Sequence, residues 1–127
     1  MVDVDLKAIA RSLYLRRGSG IMVPLEARET DGWKPSPRYC HINSDRYAME
    51  NVGHQPVRGW FVFDYSDIGR CHFLAHSIVE DSDGKLFDLT PSPAPRPPFL
   101  RHEGLEGEFE AIVLAGHSTL IHVIEAQ

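Results

Sequence analysis

The chain has 127 residues, of which 43% are hydrophobic, 24% charged and 9% aromatic. These are ordinary globular values, and they exclude a disordered chain, a collagen-like repeat and a coiled coil. The formal net charge of −5 argues against nucleic-acid binding, which needs a basic face for phosphate contacts. The one dense basic patch, Lys7, Arg11, Arg16 and Arg17, has helical spacing and reads as a solvated face. No apolar run approaches the ~18 residues of a membrane span, and the acidic start Met-Val-Asp-Val-Asp is unlike a secretory signal. The expectation is a single cytoplasmic domain over residues 1–127, with no nucleic-acid and no membrane partner. The oligomeric state stays open.

Residues 3–17 predict a helix, because Leu6, Ile9, Ala10, Leu13 and Tyr14 fall on one stripe and Gly18-Ser19-Gly20 ends it. Residues 21–27 predict a short edge strand interrupted by Pro24, and residues 28–35 a polar loop holding Trp33. A second helix is expected from Ser36, a natural N-cap with Pro37 at the first helical position, to about Asn51. From Val57 the period changes. Residues 57–65 read as a buried central strand with Trp60 in the core. Two further strands, 71–80 and 85–90, are joined by Ser82-Asp83-Gly84. The five prolines of residues 91–98 remove ladder donors and predict an extended loop. Residues 108–115 and 119–125, around Gly116, read as a last hairpin. Helices followed by antiparallel strands make an α+β pattern.

Cys40 falls in the first turn of the second predicted helix, where unpaired N–H groups and the helix dipole favour a thiolate. A nucleophilic thiol needs a base and a group that orients the base, and His76 and Asp88 lie in strands that a short hairpin makes neighbours. Register decides whether they meet. A two-residue Asp83-Gly84 loop sends their side chains to opposite faces. A three-residue loop with left-handed Gly84 pairs Ile78 with Asp88 and sets His76 diagonal to Asp88 on one face. The Cys40 amide is a candidate oxyanion donor, with Trp33, Tyr39 or Asn43 on the substrate side. Cys71 reads as a packed thiol, and two cysteines make no disulfide framework. Among the seven histidines, His41, His54, His72 and His76 are the plausible ligand set, yet their spacing is no zinc signature, so no metal is expected.

The order of these residues resembles a known family. Cys40 stands at a helix start, Val57-Arg58-Gly59-Trp60 opens a strand, His76 follows in the next, and Asp88-Leu89-Thr90-Pro91 closes the one after. This is similar to the transglutaminase-like core of the papain-like cysteine enzymes, over about residues 36–91. The resemblance implies N-terminal helices packed on a mostly antiparallel sheet, with Cys40 as nucleophile, His76 as base and Asp88 as orienter. It implies acyl transfer or hydrolysis on a peptide or other acyl substrate, without a cofactor. The sequence departs from the family around both the Cys and the His. Arg38-Tyr39 precede the Cys where a Gly is common, His41 follows it where a small residue or Trp is common, and Ser77-Ile78 follows the His where Ala-Trp is common. The alternative is a non-catalytic binding or regulatory module of the same shape. For an enzyme, a groove between the proline-rich loop and Trp33 would suit an extended chain; the other reading of the prolines is that they only route the chain to the last hairpin.

Overall fold

The computed structural model describes residues 4–92 and 96–124. Its elements are α1 (Leu6–Leu15), α2 (Cys40–Glu50), β1 (Gln55–Tyr65), β2 (Arg70–Glu80), β3 (Leu86–Phe87), β4 (Phe99–Arg101), α3 (Glu106–Leu114) and β5 (Thr119–Val123). The strand order is β3-β2-β1-β4, with β5 also pairing β2. The β1–β4, β2–β3 and β2–β5 ladders are antiparallel. The class is α+β.

The chain divides into two compact units. The first holds residues 1–21, 59–75 and 97–127. Asp5 caps α1 by accepting the Ala8 N–H at 3.1 Å, and the predicted stripe is used: Ala10 and Leu13 are buried, with Leu6, Ile9 and Tyr14 packed against the same core. That core contains Trp60, Phe73, Phe109 and Ile112. Residues 106–114 form a helix, not the expected strand of a last hairpin. Phe109 and Ile112, three apart, both enter the core, a spacing that only a helix places on one side. Glu106 and Glu108 sit in its first turn, where negative charge suits the dipole. Gly116, at φ 86, closes the helix. Its N–H bonds Val113 O and that of His117 bonds Ile112 O, both at 3.0 Å, the double bond of a Schellman end.

The second unit holds residues 22–58 and 76–96. Its core is smaller: Tyr47 from α2, Val79 from β2, Phe87 from β3 and Leu89, with Trp33 packed against them. Residues 21–27 form no strand. Ile21 and Leu25 make isolated bridges, the latter in parallel with Asp88. Asp88 N–H bonds Pro24 O at 2.9 Å and Glu26 N–H bonds Asp88 O at 2.8 Å. Strand β3 is correspondingly shorter than predicted, because beyond Phe87 the chain bonds this outer segment.

Candidate active site

Cys40 is the first residue of α2, and no side chain caps that end. Arg38 stands in the left-handed region at φ 72, which turns the chain, so the helix that Ser36-Pro37 predicts starts three residues later, at Cys40 and not under a Ser36 cap. Asn43 holds Ser36 in place: Oδ1 accepts its N–H at 3.2 Å and Nδ2 donates to its carbonyl at 2.8 Å. Asn43 Nδ2 also donates to Thr90 Oγ1 at 3.1 Å. With both amide protons engaged and 2% exposure, Asn43 is a clamp for the helix start and has no proton left for a substrate. The first helical bond runs from Asn43 N–H to Tyr39 O at 2.8 Å. The amides of Cys40, His41 and Ile42 therefore have no acceptor within the helix, and the positive end of its dipole lies at the thiol.

The β2–β3 connection is the three-residue loop. Glu80 pairs with Leu86 and Val79 with Phe87, Asp81 N–H bonds Lys85 O at 2.9 Å, and Gly84 has φ 82. Continuing that register puts Asp88 opposite Ile78 and diagonal to His76. The contact forms: His76 Nε2 lies 2.5 Å from Asp88 Oδ2. A carboxylate only accepts, so Nε2 carries the proton and Nδ1 is the nitrogen left for Cys40. Asp88 is fully buried. Its Oδ1 accepts the Thr90 N–H at 2.9 Å, and Arg96 forms an ion pair with Oδ2.

Cys40 is half-buried and its thiol is strongly perturbed. Burial pushes it up, but hydrogen bonds from His41 and His76 and the charge of both rings outweigh burial and bring it from 9.0 to about 5. Cys71 is different. It is fully buried in the first unit's core, and burial, with the Asp64 carboxylate as its hydrogen-bond acceptor at 3.4 Å, pushes its thiol up. A buried thiol of raised pKa is packing, not a nucleophile.

Behind the thiol runs a polar chain absent from the predicted site. His41 Nδ1 is 2.5 Å from Ser77 Oγ, Arg58 Nη1 donates to the same oxygen at 3.0 Å, and Arg58 Nη2 pairs with Asp45 at 2.6 Å. His41 and Ser77 are two of the flanking departures from the pattern of the resemblance, and they are bonded to each other. That reciprocity was the available signal.

Of the other predicted site residues, Tyr39 is 58% exposed beside Cys40. Trp33 is packed on the second unit's core and carries the Arg46 guanidinium 4.8 Å from its ring centre. Thr30 and Trp33 exchange backbone bonds at 2.9 Å across a turn through Asp31 and Gly32, both at positive φ. The predicted proline-rich wall falls partly on residues 93–95, which lie outside the described residues. Among the described residues, no three His, Cys, Asp or Glu groups are placed to share a metal ion, and no helix is long and apolar enough to cross a membrane. No protein-family model, curated protein or solved structure matches the chain.

Proposed function

We propose that the protein performs cysteine-dependent acyl transfer or hydrolysis on an amide, ester or thioester, using Cys40, His76 and Asp88. The supporting observation is His76 itself, fixed through Nε2 on the buried Asp88 carboxylate, together with a Cys40 thiol that the neighbouring His41 and His76 bring down to about 5 against the push of burial. An activated nucleophile needs a base in reach of the thiol and a third group holding that base, and His76 and Asp88 supply those two residue types. The order of helix-start Cys, strand His and following Asp also supports a papain-like, transglutaminase-like core for this part of the chain.

In the first half-reaction the Cys40 proton passes to His76 Nδ1 and the sulfur attacks the acyl carbon, forming a carbon–sulfur bond. The oxyanion faces the helix N-terminus, where the Cys40 amide is the nearest donor. The bond to the leaving group breaks, and His76 returns its proton to that group. In the second half-reaction His76 takes a proton from water or an amine, which attacks the acyl-sulfur carbon and expels the thiolate.

The test is acylation of the purified chain by a p-nitrophenyl ester, read by a nitrophenolate burst and by intact-mass spectrometry. A stoichiometric acyl adduct on Cys40, lost in Cys40→Ser and much slower in His76→Ala, is expected. An adduct that forms no faster in the wild type than in His76→Ala rules the mechanism out.

A further inference from the structure

Cys40 and His76 stand on different elements, α2 and β2, and a chain of side-chain contacts within the second unit joins the two. Asn43, in the same helical turn as Cys40, donates from Nδ2 to Thr90 Oγ1 at 3.1 Å. The Thr90 N–H donates to Asp88 Oδ1 at 2.9 Å. The other oxygen of that carboxylate, Oδ2, holds His76 Nε2 at 2.5 Å, with Arg96 paired to the same oxygen. Asn43, Thr90, Asp88 and His76 are all buried, so water does not compete for these bonds. The residue types suit the task. Thr90 is β-branched and stiff at χ1, and Pro91 after it restricts its backbone. Its amide and its hydroxyl oxygen therefore keep fixed directions, one to the carboxylate and one to α2. Asn43 has its second amide proton on Ser36 O and its Oδ1 on Ser36 N–H, so its amide plane cannot turn over without setting donor against donor.

We propose that Asn43 and Thr90 are positioning residues for the acyl transfer: the bond between them fixes the first turn of α2, and Cys40 with it, against the carboxylate that orients His76. This role rests on the acyl-transfer reading. Asn43 acts through the helical turn it shares with Cys40, and Thr90 acts through Asp88. What the reaction gains is a constant placement of nucleophile and base through both half-reactions, where a misplacement of about 1 Å can cost roughly a hundredfold in rate. The Asp88 carboxylate is held on both sides for the same end. One oxygen faces the imidazole, and the other is tied through Thr90 to the nucleophile's own helix.

The experiment is the p-nitrophenyl ester burst of the full chain, resolved into a saturation constant for the ester and a maximal acylation rate, in Thr90→Val and Thr90→Ser. Valine keeps the shape, the stiffness at χ1 and the amide bond to Asp88, but leaves one Asn43 proton without its acceptor. Thr90→Val should lower the maximal acylation rate by about tenfold or more with the saturation constant unchanged. Thr90→Ser, which keeps the oxygen, should recover most of that rate. Asn43→Ala should show the same split, and adding Thr90→Val to it should cost little further, because one bond can be lost only once. The two Thr90 variants decide the matter if Asn43→Ala does not fold. A bond serving stability alone would lower the urea midpoint of Thr90→Val and leave the rate of the folded protein where it was, and that result overturns the role. So do equal losses in the valine and serine variants, or a loss carried by the saturation constant. Acylation that depends on His76 but is untouched in Thr90→Val removes only the role of Asn43 and Thr90; a wild type that forms no His76-dependent adduct on Cys40 removes the acyl-transfer reading as well.

Discussion

Asp88 carries more than the orientation of one imidazole. It accepts from His76 and from the Thr90 amide, and it pairs with Arg96, all without solvent. Asp88→Asn keeps the shape but removes the charge and offers His76 a donor as well as an acceptor. Because that breaks a buried ion pair and leaves the cation behind, a loss of about 3–5 kcal/mol is expected. Urea unfolding at neutral pH measures it, and a loss under about 1 kcal/mol would show that the pair is not desolvated. The Cys40 thiol allows a second estimate. At about pH 6 a thiol titrating at about 5 is roughly nine-tenths ionised, against about one part in a thousand for one at 9.0. Lower basicity cuts attack on a disulfide by roughly sixtyfold, so the net expectation is a rate about fifteen times that of an ordinary thiol. A rate at or below the ordinary one contradicts the perturbed thiolate. The meeting of His76 with Asp88 was legible because hairpin parity sets it, and Cys40 stood out because a thiol near a helix start is chemically distinctive. His41 and Ser77 were not: neither is diagnostic alone, and their bond spans 36 positions.

At the scale of elements, the hairpin that brings Asp88 to His76 depends on one backbone conformation. Gly84 has φ 82, and a Cβ added there meets nothing within 4 Å, so the cost of Gly84→Ala is conformational only, about 1–2 kcal/mol. Gly59 is the opposite case. Its φ is ordinary, but a Cβ there would overlap the Leu100 carbonyl oxygen and the Phe99 ring, on the β4 strand paired with it. Overpacking against backbone costs about 1–3 kcal/mol or more, so Gly59→Ala should destabilise more than Gly84→Ala in urea melts. The reverse order would show that β4 moves aside. The Gly84 turn could be read from sequence because side-chain parity and a left-handed glycine give one consistent answer. The start of α2 could not. Ser36-Pro37 carries the cap residue and the first-position proline of a helix start, but the left-handed Arg38 and the Asn43 clamp override them through contacts as distant as Thr90. The last hairpin failed for a related reason: Phe109, Ala111 and Val113 alternate like a strand, while the residues that reach the core, Phe109 and Ile112, follow the helical period.

For the whole molecule, the α+β class followed from the change of hydrophobic period at Val57, but the division into two units did not, because β1 and β2 each supply residues to both. Long strands look the same in sequence whichever core their halves enter. Each unit has its own aromatic core, and every residue of the proposed site, with its supporting chain, belongs to the second. Phe73 and Phe87 make the matched pair for testing what that means. Both are fully buried, Phe73 in the first core and Phe87 in the second. Truncating either ring to Ala leaves a cavity and should lower stability by about 3–5 kcal/mol. The cores differ in what stands on them. Phe87 directly precedes Asp88, packs edge-on against Tyr47 of α2 at 5.7 Å between ring centres, and lies under the Arg28 guanidinium. Its loss frees the segment that carries Asp88 and the helix that carries Cys40. Phe87→Ala should therefore raise the Cys40 alkylation midpoint in protein that is still folded, as judged by circular dichroism, while Phe73→Ala should leave it unchanged at equal loss of stability. Because the two variants are matched in chemistry and in cost, general loosening of the fold would shift both midpoints alike. Equal shifts would mean that the thiol responds to overall stability; a shift in Phe87→Ala alone ties its perturbation to the packing of the second unit.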